Sequence, residues 1–338
     1  MRNVLISELK CGPWPCLQCD KSIWRTRHLS DREEHRMYIV DTDPGLDDAH
    51  AIAMATKLLP HDRLVVTTVA GNVGLDAVVD NTAWLLDELA PSVPLYRGAA
   101  GPLVGPAVDA AHIHGADGLG GFPHARGRTA PQREHAAVAI ADIARAQAGT
   151  LRIIALGPLT NLALALALEP ALPDLVTSVT MMGGSPAQHG NASLNAEYNV
   201  YADAQAAETV FSRMRGISLL TWDASLSTRF TRAELDAFWS GPSVQARVLR
   251  DLAAHRFSAD AEYASSADFG RADPLAMAVA LRPECVASAR THRIHVVHDG
   301  GLAHGVTVVD ERDATSDRHP VRIVESFHRE ALLGALTV

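Results

Sequence analysis

Cysteine, aromatic residues and charge are all sparse in this chain. Of its 338 residues four are Cys, 5% are aromatic and 20% are charged. So few cysteines exclude a disulfide-stapled scaffold. No apolar run reaches membrane-spanning length, so no membrane partner is expected and the reading is a soluble, cytoplasmic protein. No basic cluster is present either. Lys and Arg number 30 against 39 Asp and Glu, a net charge of −9, which argues against nucleic acid as a partner. No glycine-rich dinucleotide fingerprint follows the first apolar strand, which argues against NAD. What remains is a chain that is 47% hydrophobic, ample for a sizeable core, with a length that suits one large α/β domain or two small ones.

The first 36 residues differ from the rest. They hold Cys11, Cys16 and Cys19, together with Trp14 and Trp24. They carry seven Lys/Arg and five Asp/Glu, a net +2 that leaves −11 for the remainder. The apolar core of a signal peptide is lacking. Cys11-x₄-Cys16-x₂-Cys19 has no fourth ligand at a convincing metal-site spacing, His28 being the nearest. Residues 1–36 are expected to be an extension outside the fold, and 37–338 a single domain without internal repeat or linker.

The chemistry concentrates in Tyr38-Ile39-Val40-Asp41-Thr42-Asp43-Pro44-Gly45-Leu46-Asp47-Asp48-Ala49-His50, where four carboxylates fall within eight residues. An apolar run precedes them and reads as a buried strand. Ala49 to Leu59 is small and apolar and reads as a helix, with Pro44-Gly45 breaking the chain between the two. The carboxylates therefore sit at the carboxyl end of a strand and on the first helical turn, where open α/β sheets bind ligands. A helix N-terminus favours Asp47 and Asp48 but does not offset the repulsion of four acids. A divalent cation does, and oxygen ligands without thiolates suit Ca²⁺ or Mg²⁺.

Downstream, apolar runs alternate with helical patterns. Leu64–Val69, Leu151–Leu156, Val176–Met182 and Ile217–Thr221 read as strands. Leu75–Leu89, Glu134–Gln147 and Asp203–Arg213 read as helices, and residues 231–262 as two helices split at Gly241-Pro242. Residues 96–131 read as a loop. Later strands are expected near Ile294–Val297, Val306–Val309 and Val321–Val324, with Glu325–Leu333 as a final helix. This alternation predicts an α/β fold, a single domain with a mainly parallel, Rossmann-like central sheet flanked by helices.

Asp41-x-Asp43-x-x-x-Asp47-Asp48 after an apolar strand resembles the metal site of the nucleoside hydrolases, Ca²⁺-dependent enzymes that cleave the N-glycosidic bond of ribonucleosides. Companion motifs follow in the family's order over roughly residues 37 to 338. They are Asn72 after the second strand, the Ile113-His114-Gly115 loop and Gly157-Pro158-Leu159-Thr160-Asn161. Met182-Gly183-Gly184, Gly190-Asn191 and Glu197-Tyr198-Asn199 come next, then Asp273-Pro274.

The resemblance implies that Asp43, Asp48, the Leu156 carbonyl and Asp273 hold Ca²⁺. It implies that Asp43 is the general base on the attacking water, with Asn72 facing metal and water. Asp47 is then expected on the ribose 2′-hydroxyl, Asn191 and Glu197 on the 5′-hydroxyl, and Asn199 on the lower hydroxyls. Met182 is expected against the sugar, and Asp273 beside substrate as well as metal. Asp41 is expected to brace the loop by accepting backbone hydrogen bonds, and Asn161 to cap its helix. His114 is the expected contact in a loop over the pocket. The implied partners are a ribonucleoside and further copies of the chain, as a homodimer or homotetramer, and the implied role is purine or pyrimidine salvage.

The chain departs from the family at Ala272, where many members have the His proposed to protonate the leaving base. His114, Tyr263 and His255 are the candidates to compensate, and the reading leans towards purine ribonucleosides. Tyr198 is bulkier than the Phe often found at its position. Two rival readings compete. A haloacid-dehalogenase-type phosphatase also begins strand-Asp-x-Asp with Mg²⁺, but it wants Thr or Val where this chain has Gly45. A catalytically silent nucleoside- or sugar-binding protein is opposed by the retention of all four ligand positions.

Overall fold

The computed structural model describes residues 36–187, 189–259, 272–312 and 317–338. The strands are β1 (Met37–Thr42), β2 (Leu64–Thr68), β3 (Leu95–Arg97), β4 (Leu151–Ala155), β5 (Val176–Met182), β6 (Ile217–Leu220), β7 (Val286–Val296), β8 (Thr307–Asp310) and β9 (Val321–Phe327). They form one sheet in the order β3-β2-β1-β4-β5-β6-β9-β7-β8. Pairing is parallel from β3 to β9, and β7 runs antiparallel to both β9 and β8.

The helices are α1 (Leu46–Leu58), α2 (Leu75–Leu89), α3 (Ala111–His114), α4 (Ala136–Ala146), α5 (Thr160–Leu168), α6 (Leu172–Leu175), α7 (Tyr198–Ala202), α8 (Ala204–Arg213), α9 (Trp222–Ser227), α10 (Arg232–Phe238), α11 (Val244–Ala259), α12 (Ala272–Leu281) and α13 (Arg329–Leu336).

Side-chain alternation along the strands explains the three layers. Tyr38 and Val40 of β1 enter one apolar cluster with Val66, Ile154 and Met182. Ile39 enters the opposite cluster with Val65, Ile153 and Met181. Both faces of the sheet are thus covered, as parallel sheets require.

Two helices on the first face carry no polar stripe. Asp48 to Thr56 of α1 and Ala272 to Val279 of α12 are buried without a break, so these helices lie inside the protein and pack on each other. Pro274 is tolerated because it falls in the first turn of α12, where backbone N–H groups have no intrahelical partner.

Several boundaries differ from the sequence reading, β7 among them, which begins at Val286 and not near Ile294. The run 96–131 contains the short helix α3. β9 continues to Phe327, so the last helix starts at Arg329 and not at Glu325. Short helices α7 and α9 lie in stretches for which the sequence predicts no helix. Among the described residues, no helix is long and apolar enough to cross a membrane.

Candidate active site

The order β3-β2-β1-β4-β5 reverses direction between β1 and β4, and ligands bind at such a point beyond the carboxyl ends of the strands. Here α1 and α12 both begin with acids, Asp47 and Asp48 in one first turn and Asp273 in the other. One carboxylate oxygen from each of Asp47, Asp48 and Asp273 lies within 4.8 Å of the other two.

Asp48 is tied down on both oxygens. Thr42 Oγ1 donates to Oδ1 at 2.5 Å. The Gly45 N–H and Asn72 Nδ2 donate to Oδ2 at 2.9 and 3.2 Å. The Gly45 bond also caps α1 from its third residue.

Asp43 is held differently. Its Oδ2 accepts the Asn72 N–H at 2.7 Å, while Asn72 Nδ2 donates to the Asp43 carbonyl at 3.0 Å. Two glycines from separate loops flank the carboxylate. A Cβ on Gly71 would stand 2.0 Å from Oδ2, and one on Gly157 2.5 Å from Oδ1. Only residues without side chains admit this carboxylate.

Burial first, then neighbouring acids, pushes Asp43 and Asp273 well above the ordinary carboxylate range, with Asp48 raised in the same way. The crowding is what a bound cation would relieve. The donors are carboxylates, with no thiolate or imidazole in the trio, and Leu156 lines the same cavity. Such a set fits a hard divalent ion.

A cavity of about 590 Å³ opens above the cluster, lined by Asp47, Asn72, His114, Leu156, Met182, Asn191, Glu197, Asn199 and Asp273 among others. That volume is ordinary for a small-molecule site, which typically spans about 300–1,000 Å³. Glu197 caps α7: its oxygens accept the N–H groups of Gly184 at 2.8 Å, Asn199 at 2.9 Å and Val200 at 3.2 Å. Asn199 Nδ2 donates to the Leu156 carbonyl at 2.6 Å and so fixes its direction. Asn191 Oδ1 accepts the Tyr198 N–H at 2.8 Å.

The structure departs from the sequence expectations at several residues. Asp43 and Asp48 are buried and do not line the cavity, and the carboxylates within mutual reach include Asp47 in place of Asp43. Asp41 takes side-chain donors instead of backbone ones, Thr67 Oγ1 at 2.5 Å and Asn161 Nδ2 at 2.8 Å. Burial lifts its pKa to about 6 against those two bonds. Asn161 is no cap. It lies inside α5 and ties β1 to its neighbours, donating to the Thr68 carbonyl at 2.9 Å and accepting the Ala99 N–H at 2.9 Å.

His255 does not line the cavity: its Nε2 meets the Gly120 carbonyl at 3.1 Å and its ring stands edge-on to Phe122. Of the three candidate donors that leaves His114 in the wall, Tyr263 lying outside the described residues. Ala272 lines the cavity as expected for the missing acid. The sequence reading missed Asp109, Tyr201, Trp222 and Arg256 in the same wall. Trp222 stands two residues beyond the end of β6, so the rule that ligands meet the carboxyl ends of strands could have found it. Arg256 sits on a helix with no local signal.

The sequence model of the family described as inosine-uridine preferring nucleoside hydrolase matches residues 38–334. The non-specific ribonucleoside hydrolase RihC of Salmonella enteritidis is 41% identical over 173 residues. These are 51% of this chain and 56% of the relative, so the match spans about half the length of such curated relatives. Among solved structures, an inosine-guanosine nucleoside hydrolase superposes with a TM-score of 0.80 at 28% identity, over 90% of this chain and 98% of that one. A purine-preferring ribonucleoside hydrolase from Gardnerella vaginalis does so with a TM-score of 0.76 at 26% identity, over 89% and 98%.

Proposed function

Since the chain belongs to the inosine-uridine preferring nucleoside hydrolase family, we propose that it hydrolyses the N-glycosidic bond of ribonucleosides to free base and ribose. The observation that carries this reading is the meeting of the Asp47–Asp48–Asp273 cluster with a cavity walled by Asn191, Glu197 and Asn199. Acids that hold a cation and groups that read sugar hydroxyls share one crevice.

The proposed cation is Ca²⁺, held by Asp43, Asp48, Asp273 and the Leu156 carbonyl, with Asp47 placed to join them. When bound, it would acidify a water and orient the ribose diol. Asp43 would serve as general base on the attacking water, and Asn72, bonded to Asp43 and Asp48 alike, holds the two acids in register. The remaining carboxylates stabilise the positive charge that develops on the ribose as the bond to the base breaks. Asp47 binds the 2′-hydroxyl, Asn199 the lower hydroxyls, and Glu197 with Asn191 the 5′-hydroxyl, while Met182 packs against the sugar. His114 is the proposed donor to the leaving base, in place of the acid that Ala272 cannot supply.

Purine ribonucleosides are the proposed better substrates. A purine accepts a proton at a ring nitrogen far from the sugar, and Trp222 and Tyr201 offer aromatic surface in the cavity wall. A homodimer or homotetramer, a cytoplasmic location and a role in nucleoside salvage complete the proposal and rest on the family resemblance. The test is incubation with a panel of purine and pyrimidine ribonucleosides, following free ribose. Release of ribose, faster from purines, is the expected result. Binding without ribose release from any of them would overturn the hydrolase and leave a silent nucleoside binder.

A further inference from the structure

His114 owes its place to a loop that has little core of its own. Val104, Val108 and Ile113 are exposed, so hydrogen bonds must locate the segment. Two of these converge on one point. The Tyr198 hydroxyl, from the start of α7, lies 2.6 Å from the Gly71 carbonyl and 3.3 Å from the Val108 carbonyl. Two residues after Val108, the Ala110 N–H donates to the Asn72 carbonyl at 2.9 Å. Ala110 is in turn the carbonyl from which α3 springs, accepting the N–H of Ile113 at 2.9 Å and of His114 at 3.0 Å.

The imidazole that results lies against Gly45, where a Cβ would meet its Nδ1 at 2.3 Å and the Asn72 amide at 3.1 Å. The His114 ring thus rests on the backbone of the acidic loop. On the far side α11 holds the same segment, through His255 on the Gly120 carbonyl at 3.1 Å and Arg256 Nη2 on the Ile113 carbonyl at 3.3 Å.

Resting on the hydrolase reading above, we propose that Tyr198 is a positioning residue. Its hydroxyl straps the His114 loop to the Gly71–Asn72 loop and so sets His114 in the cavity wall. Several features support the strap. The same residue donates its N–H to Asn191 at 2.8 Å and is followed by Asn199, so one short helix places the sugar contacts and the strap together. Burial first, then the carboxylates of Asp43, Asp109 and Glu197, holds the phenol above its ordinary range. The hydroxyl therefore keeps its proton and remains a donor. Its single proton serves the Gly71 carbonyl and is shared more weakly with Val108, as the two distances require.

Tyr198→Phe in the full chain tests this, because the ring stays and only the hydroxyl goes. Amide exchange, melting, and turnover of inosine and p-nitrophenyl riboside are compared for wild type, Tyr198→Phe, His114→Ala and the double variant. The strap predicts faster exchange confined to Ala110, Ile113, His114 and their neighbours, with the melting temperature unchanged. It predicts a fall in kcat for inosine of about threefold to tenfold, the range one hydrogen bond supports. In the His114→Ala background the second change should then add nothing, since a strap that acts through His114 has nothing left to position.

Additive losses in the double variant would overturn the proposal, as would unchanged exchange in the loop. A lower melting temperature with faster exchange across the whole chain would also overturn it, by making Tyr198 an ordinary packing residue. If the wild-type chain releases no ribose from any nucleoside, it is the hydrolase reading that fails, and the exchange arm still decides the strap.

Discussion

Asp43, the proposed general base, has little freedom. Its carboxylate stands between Gly71 and Gly157 and takes the Asn72 N–H, so position and orientation are set before any ligand arrives. Asn in its place keeps the shape but cannot take a proton. Asp43→Asn is therefore expected to fold and to lose turnover by at least the ~10²–10⁴ that general-base catalysis contributes. Near-normal ribose release by the variant would remove Asp43 from the mechanism. His114 makes a second prediction at this scale. If it protonates the leaving base, His114→Ala slows natural nucleosides far more than p-nitrophenyl riboside, whose leaving group needs no acid. Equal losses, read from parallel progress curves, would assign His114 to closing the pocket.

At the scale of elements, the site depends on two helices that begin side by side. Because α1 and α12 are buried on all sides, their first turns cannot drift apart without opening the core. Met54 and Met277 are both fully buried, one on each helix. Met277→Ala is expected to cost about 2–5 kcal/mol, the usual range for truncating a buried Met. Equilibrium urea unfolding measures it directly, and a loss under about 1 kcal/mol would show that the packing between these helices gives way easily. Interior helices with acids at their N-termini also explain why the carboxylates stay raised: the protein supplies partial positive charge there, but less than the acids need.

For the whole molecule, a cation that binds the folded chain and not the unfolded one adds stability by mass action, about 2.7 kcal/mol at a hundredfold excess over Kd. Exhaustive chelation is expected to lower the melting temperature by several degrees and to abolish ribose release, and added Ca²⁺ to restore both. Indifference of both readings to chelator would sink the metal assignment. A second prediction concerns residues 1–36, which precede the family match at 38–334. A chain beginning at Met37 is expected to melt and turn over like the full one. A melting temperature lower by many degrees would make those residues part of what the domain needs.

What the sequence determined by itself is the content of local segments. Asp41 to Asp48 announced a strand end and a helix start, because an apolar run, a Pro-Gly break and a small-residue helix are neighbours along the chain. The order of strands and helices followed from hydrophobic period in the same way, and with it the mainly parallel sheet. Local pattern missed the end of β9, because Glu325 and Ser326 look helical or polar until β7 pairs with Ser326 and Phe327.

Only the tertiary structure decided which distant groups meet. Asn161 reads as a cap beside its own helix, yet its amide reaches Asp41 and the Thr68 carbonyl, 120 and 93 residues away in sequence. Tyr198 reads as a spacer between Glu197 and Asn199, yet its hydroxyl closes a contact with Gly71 across 127 residues. Arg256, on a helix that also packs Val248 and Leu252 into the core, becomes part of the cavity wall. Each of these depends on how the loops at the carboxyl ends of β1, β2, β4 and β5 fold back over one another. That geometry is set by burial of the sheet and its two interior helices, so no short stretch of sequence contains it.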